Sequence, residues 1–195
     1  YLALVTQEGD KFQATGNALS TAAGRLSYFY GLTGEALSVD TACSSSLVSL
    51  VMGSKSIERG DARVCMSFGV NAMIDSRAFV VMSKAGMLSA DGRCKTFDAR
   101  ANGYVRGEGC GALLLMEQGK EEVAVGKIVG HAINQDGRSN GLTAPNGPSQ
   151  VRLIREALNG RSGKEVSNIE AHGTGTSLGD PIEVQAIAES VGVGR

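Results

Sequence analysis

The stretch Ala36-Leu-Ser-Val-Asp40-Thr-Ala-Cys43-Ser-Ser-Ser-Leu47-Val-Ser-Leu50-Val51, which runs on to Arg59-Gly60, changes its pattern at the cysteine. Ala36 to Ala42 reads as a short buried strand. From Cys43 to Arg59 the apolar residues Leu47, Leu50, Val51 and Ile57 recur at helical spacing, and Gly60 supplies a stop. A strand that passes straight into a helix is the building unit of α/β folds. The junction places a thiol, followed by three small hydroxyl residues, where the helix begins.

The same alternation continues on both sides. Upstream, Ser20 reads as the N-cap of a helix reaching about Tyr30. Downstream, Ala62 to Met73 is strand-like and Ser76 to Gly86 helical, with Phe79, Val80 and Met82 toward the interior. A loop follows from Asp91-Gly92 to Asn102-Gly103. Tyr104 to Glu117 contains Gly109-Cys-Gly-Ala-Leu-Leu-Leu-Met116, the pattern of a fully buried strand. Val123 to Asn134 is another strand, and Asp136-Gly137, Asn140-Gly141 and Pro145-Asn146-Gly147 punctuate a long loop. A helix from Pro148 to Leu158, a strand from Val166 to Ala171 and a helix from Asp180 to about Val191 complete the reading. Strands separated by helices predict an α/β protein with a largely parallel sheet. The charged turn Gln118 to Glu122 is the one visible shift in composition, and it divides the chain into halves.

Composition narrows the function classes. The 195 residues include 27 glycines, about twice the average usage, which points to tight turns and close backbone packing. Nineteen Lys and Arg against 20 Asp and Glu leave a net charge of −1, with no basic stripe to bind nucleic acid. The apolar run Ala112 to Met116 is too short to cross a bilayer. Tyr1 to Glu8 lack the features of a signal peptide. With no initiator Met, the chain reads as a piece of a longer, cytoplasmic polypeptide. Its four cysteines, Cys43, Cys65, Cys94 and Cys110, form no C-x-x-C, and neither histidine lies at ligand spacing from them. No metal site is expected, and the thiols are expected to be reduced.

Two segments carry chemistry. At a helix start, unpaired backbone N–H groups favour a thiolate, and small neighbours leave room for a substrate carbonyl. The residues alone leave Cys43 two readings, a nucleophile or a packed core thiol. Cys65 and Cys110, inside apolar strands, read as packing residues, and Cys94 as an exposed loop thiol near Arg93 and Lys95. The second segment is Glu170-Ala-His172-Gly-Thr174-Gly-Thr176-Ser-Leu-Gly-Asp180-Pro-Ile-Glu183. Its histidine follows a strand, its glycines let a ligand approach the backbone, and its threonine hydroxyls suit the amides of a long substrate. Asp180-Pro-Ile-Glu183 also matches a helix capping box, with Asp at the N-cap. His131 reads as structural. Gly107-Glu-Gly109-Cys-Gly111 fails the dinucleotide spacing, and no G-x-S-x-G elbow of a serine hydrolase occurs.

Asp-Thr-Ala-Cys43-Ser-Ser-Ser-Leu, Gly92-Arg-Cys-Lys-Thr-Phe-Asp98, Asn134-Gln-Asp-Gly-Arg-Ser-Asn-Gly-Leu-Thr-Ala-Pro-Asn146 and the His172 segment occur in this order in one chain. Together they closely resemble the β-ketoacyl synthase (ketosynthase) domain of type I polyketide synthases, over essentially the whole sequence. The resemblance implies the α/β thiolase-like fold, five-layered (αβαβα) in the complete domain, and a homodimer. Residues 1–120 would be the later part of its N-terminal half and 121–195 the start of its C-terminal half. It implies a decarboxylative Claisen condensation, in polyketide or fatty acid synthesis, between an acyl group on Cys43 and a malonyl-type thioester on acyl carrier protein. His172 would hydrogen-bond the developing enolate oxygen, Thr174 and Thr176 would contact the phosphopantetheine arm, and Glu183 would support the site by pairing with a lysine. No cofactor is bound directly on this reading.

Some features depart from the family pattern. The second active-site histidine, its nearby lysine and the C-terminal glycine-rich loop are not in this sequence, so the isolated piece is expected to be inactive. Leu32-Thr-Gly34-Glu35-Ala36 replaces a Gly-Pro, and Ser67-Phe68-Gly69 stands where a Gly-Gly pair is common. A cysteine-dependent thiolase or hydrolase and a non-catalytic partner subunit are the competing readings. The Thr-Ala-Cys-Ser-Ser-Ser and His-Gly-Thr-Gly-Thr runs weigh against the first, and the presence of Cys43 against the second.

Overall fold

A computed structural model of the chain describes residues 11–119 and 124–192. The helices in chain order are α1 (Gln13–Asn17), α2 (Ser20–Tyr30), α3 (Ser45–Glu58), α4 (Arg77–Lys84), α5 (Gly147–Leu158) and α6 (Gly179–Val191). The strands are β1 (Val64–Asn71) and β2 (Gly109–Met116), and short 3-10 turns occupy Ala42–Ser44 and Gly163–Glu165. The chain forms two compact units.

The first unit holds the described residues up to 75 together with Gly109–Glu117. Its β1 and β2 pair antiparallel, in a register from Val64 opposite Met116 to Asn71 opposite Gly109. Helix α3 lies on one face, where small residues permit the approach. A Cβ on Gly53 would sit 3.1 Å from Leu115 Cδ1, and one on Gly69 only 2.7 Å from Ser46 Cβ. Val51, Ser56 and Ser67 are buried there, and the Ser49 and Ser67 hydroxyls meet at 2.9 Å. The serine that departs from the family's Gly-Gly pair is therefore tied to α3, and the glycine two residues on is needed for that contact.

Several expectations change here. The ladder is antiparallel, not parallel. Ala36–Ala42 forms no strand and joins no ladder among the described residues; 124–134 and Val166–Ala171 behave likewise, and Val123 lies outside them. Apolar patterning marks candidate strands, but it does not report which of them find a partner. β2 is also not buried on both faces. Alternation places Val64, Met66, Phe68, Val70, Cys110, Ala112, Leu114 and Met116 on the face away from α3. Of these, Val64, Met66, Val70, Leu114 and Met116 are exposed. Cys110, read as a packing residue, is exposed with them, while Cys65 on the α3 face is half-buried. Helix α2 begins as expected, but Leu19 is its N-cap and Ser20 its first helical residue.

The second unit comprises Ser76–Glu108 and the described residues from 118 onward. In it α5 packs on α6, with Val151 and Ala186 buried and Arg155 paired to Glu189 at 3.2 Å. Asn146 caps α5 by accepting the Ser149 N–H at 3.1 Å, and Pro148 sits in the first turn. The long loop before it is stitched down, because Asn134 Nδ2 donates to Ser149 C=O and Asn146 Nδ2 to Asp136 C=O. His131 lies half-buried in the segment before that loop.

Candidate active site

Cys43 sits in the 3-10 turn that leads into α3, one turn earlier than the α-helix proper. In this chain its side chain is exposed and its thiol free. The residue before it, Ala42, has φ 54°, a left-handed conformation that a side chain disfavours. Side chains hold it there. Asp40 Oδ1 accepts the Ala42 N–H at 3.0 Å. Ser45 Oγ accepts the Thr41 N–H at 2.8 Å and donates to Ala42 C=O at 2.7 Å. Ser44 Oγ is 2.9 Å from both Thr41 C=O and Thr41 Oγ1. The hydroxyl run after the cysteine thus bonds backward into the turn.

His172 stands in the second unit, its side chain exposed on the loop before α6. The capping box expected at Asp180-Pro-Ile-Glu183 is not formed: Leu178 is the N-cap, Gly179 begins α6, and Asp180 lies within the first turn. Both carboxylates reach back to the loop instead. Glu183 Oε1 accepts the His172 N–H at 2.6 Å and Oε2 the Gly173 N–H at 2.8 Å. Two backbone amides engage it among the described residues. Asp180, only 5% exposed, accepts from Gly175 N–H at 3.0 Å and Thr176 N–H at 3.3 Å through Oδ1. Its Oδ2 takes the Phe97 N–H at 2.7 Å. A loop full of backbone donors beside the positive end of a helix is satisfied by acidic residues of that helix.

The threonine hydroxyls are brought together, Thr174 Oγ1 to Thr176 Oγ1 at 3.1 Å, and Thr176 Oγ1 accepts the Gly179 N–H at 3.0 Å. The intervening glycines serve the fold. Gly175 has φ 73°, and a Cβ there would lie 2.9 Å from Lys95 N. Gly173 has φ 52° and its carbonyl accepts from Thr96 Oγ1 at 2.5 Å. The Gly175 carbonyl accepts the Gly103 N–H at 2.9 Å. The loop from Ser89 to Tyr104 is therefore the wall against which the His172 loop is built.

That wall has its own polar knot. Lys95 Nζ donates to Asp91 Oδ1 and Asn102 Oδ1, both at 2.7 Å, and Ser89 Oγ joins them. Lys95, with Ser89 and Asn102, holds the Asp91 carboxyl well below its ordinary range. Arg100 does the same to Asp98. Thr96 and Phe97 are the positioning residues that sequence reasoning missed, and Asp180, read there as a helix cap, joins them. The Gly92–Asp98 motif was visible, but nothing in its spacing shows that it meets a segment 77 to 83 residues later. Of the residues singled out in the sequence, His172, Thr174, Thr176 and Glu183 are gathered in the second unit, and Cys43 belongs to the first. Among the described residues no helix is long and apolar enough to cross a membrane, and no cluster of potential metal ligands occurs.

An exposed thiol in a braced turn before a helix, and a histidine loop strapped by carboxylates, are the features that the resemblance to thiolase-like proteins leads one to expect. Residues 2–121 match the model of the β-ketoacyl synthase N-terminal domain and residues 125–195 that of the C-terminal domain. The chain belongs to the β-ketoacyl synthase family. It is 51% identical over 187 residues to polyketide synthase GfsB of Streptomyces halstedii, covering 93% of this chain and 3% of that protein. It is 45% identical over 206 residues to erythronolide synthase EryA2 of Saccharopolyspora erythraea, covering 100% of this chain and 6% of that protein. The ketosynthase from module 6 of the bacillaene synthase of Bacillus subtilis superposes with a TM-score of 0.88 at 39% identity, over 95% of this chain and 35% of that one. The chain thus spans a small part of these synthases and about a third of that ketosynthase.

Proposed function

We propose that this chain is part of the ketosynthase domain of a cytoplasmic polyketide synthase, with 1–120 and 121–195 belonging to its two halves. Cys43 Sγ attacks the acyl thioester of a phosphopantetheine arm, the arm leaves as a thiol, and the acyl group stays on sulfur. A malonyl-type extender on acyl carrier protein then loses CO2. The enolate carbon attacks the Cys43-bound carbonyl, a new C–C bond forms, and the Cys43 thiolate is expelled. His172 donates a hydrogen bond to the enolate oxygen as its charge develops. Glu183 holds the His172 backbone in place, and Thr174 and Thr176 border the path of the pantetheine amides. The complete domain works as a homodimer and supplies its second histidine and lysine from outside this sequence.

The observation that carries this reading is an exposed Cys43 thiol in a strained, side-chain-braced turn at the head of α3, in a chain that matches both β-ketoacyl synthase models. In the full-length protein Cys43→Ala is expected to abolish loading of a radiolabelled acyl thioester. Undiminished labelling would overturn the assignment. Turnover of an acyl thioester by water, with no malonyl donor and no CO2 released, would make the protein a hydrolase.

A further inference from the structure

Ser44 is the N-cap of α3, yet its side chain makes no capping bond to the helix. Ser45, the first residue of α3, likewise turns its hydroxyl away from the helix and back across the turn. An N-terminal serine ordinarily satisfies amides further along its own helix; these do not. The backbone offers the turn little closure of its own, since the Ser44 N–H to Thr41 C=O contact is long at 3.4 Å.

We propose that Ser45 is a positioning residue for the nucleophile: its hydroxyl latches Ala42 in the left-handed conformation that sets Cys43 at the head of α3. The two bonds bracket the unusual residue, one on the Thr41 N–H before it and one on its own carbonyl. Asp40 fixes the amide between them, but it lies on the same side of the turn as Thr41 and cannot tie Ala42 to the helix. Ser44 reaches only the Thr41 side, through the Thr41 carbonyl, whereas Ser45 bonds on both sides of Ala42. Without the latch Ala42 relaxes toward negative φ, where an alanine is at ease, and the peptide that carries Cys43 rotates with it. The role rests on Cys43 being the acylated residue.

The test is acyl loading of the full-length protein by a radiolabelled acyl thioester of N-acetylcysteamine. Ser45→Ala is expected to lower the loading rate constant about tenfold or more, the scale of one released backbone strain, with KM within about twofold. Ser45→Thr keeps the hydroxyl and is expected to recover most of the rate. Adding Ala42→Gly to Ser45→Ala is expected to restore it as well, because glycine accepts positive φ without a latch. Loading by a folded Ser45→Ala protein within twofold of the unsubstituted rate would overturn the proposal, as would failure of both restoring changes. If Ser45→Ala does not fold, the double variant and Ser45→Thr decide it: loading by both supports the latch, and loading by neither overturns it. Cys43→Ala separates the two ideas, since label taken up by that variant defeats the nucleophile reading itself. Label lost in Cys43→Ala but normal in Ser45→Ala defeats only the latch.

Discussion

The turn at Cys43 and the loop at His172 are restrained in opposite ways. The first carries its own braces: Asp40, Ser44 and Ser45 all lie within three residues of the cysteine. The second is held by Asp180 and Glu183 from the next helix and by a loop 77 to 83 residues away in sequence. A self-braced turn keeps its shape wherever the chain around it is ordered. A loop restrained from a distance exists only when its unit has folded, so damage to the wall is damage to the site.

The sharpest way to break this contrast is Asp180→Ala, which strands three backbone N–H groups around a buried position. The expected loss is about 3 kcal/mol, read as faster hydrogen exchange in peptides covering 95–100 and 172–178. Exchange around Cys43 should hardly change. A protein that keeps its protection at 172–178 would show that the distant carboxylate is dispensable.

Next comes Gly69→Ala, which probes the first unit where its bracing is not local. The added methyl would meet Ser46 Cβ at 2.7 Å, so α3 must shift, at a cost of about 2 kcal/mol. Chemical denaturation should show this loss, and acyl loading at Cys43 should slow because the helix that follows it moves. An unaltered midpoint would mean that β1 and α3 have slack.

The smallest effect is that of acid on the wall. Asp91 is held below its ordinary value of 3.8, so its folded-state value lies beneath its unfolded one. Its contribution is complete above the ordinary value and is lost only as pH falls through the folded one. Hydrogen-exchange protection of 89–104, corrected for intrinsic rates, should therefore hold between about pH 7 and pH 5 and weaken below about pH 4. Because Asp91 is largely exposed, added salt should soften even that response. A loss of protection near pH 6 would point to a different group.

Much of the architecture was legible. Helices α2, α3, α5 and α6 fall where apolar spacing and turn residues put them, because a 3.6-residue period records which face meets a neighbour. The place of the cysteine just ahead of α3 was legible, but the 3-10 turn around it was not: the hydroxyl run read as small residues that leave room for a substrate, and it bonds back into the turn. The β1–β2 pairing was not legible, since an apolar run marks a strand without naming its partner. Nor was the clamp at Asp180, which imitated a capping box in sequence and proved to bind Gly175, Thr176 and Phe97 instead.

By itself the sequence singled out the residues proposed for the chemistry, Cys43 and His172 with Thr174, Thr176 and Glu183, and put the thiol just ahead of a helix. Only the tertiary structure decided that β1 pairs antiparallel with β2, and that the His172 loop is built against Lys95 to Gly103. The physical reason is distance along the chain. Periodicity and turn chemistry are written within one helical turn, whereas a hydrogen bond between Thr96 and Gly173 leaves no mark on either segment until the chain has folded.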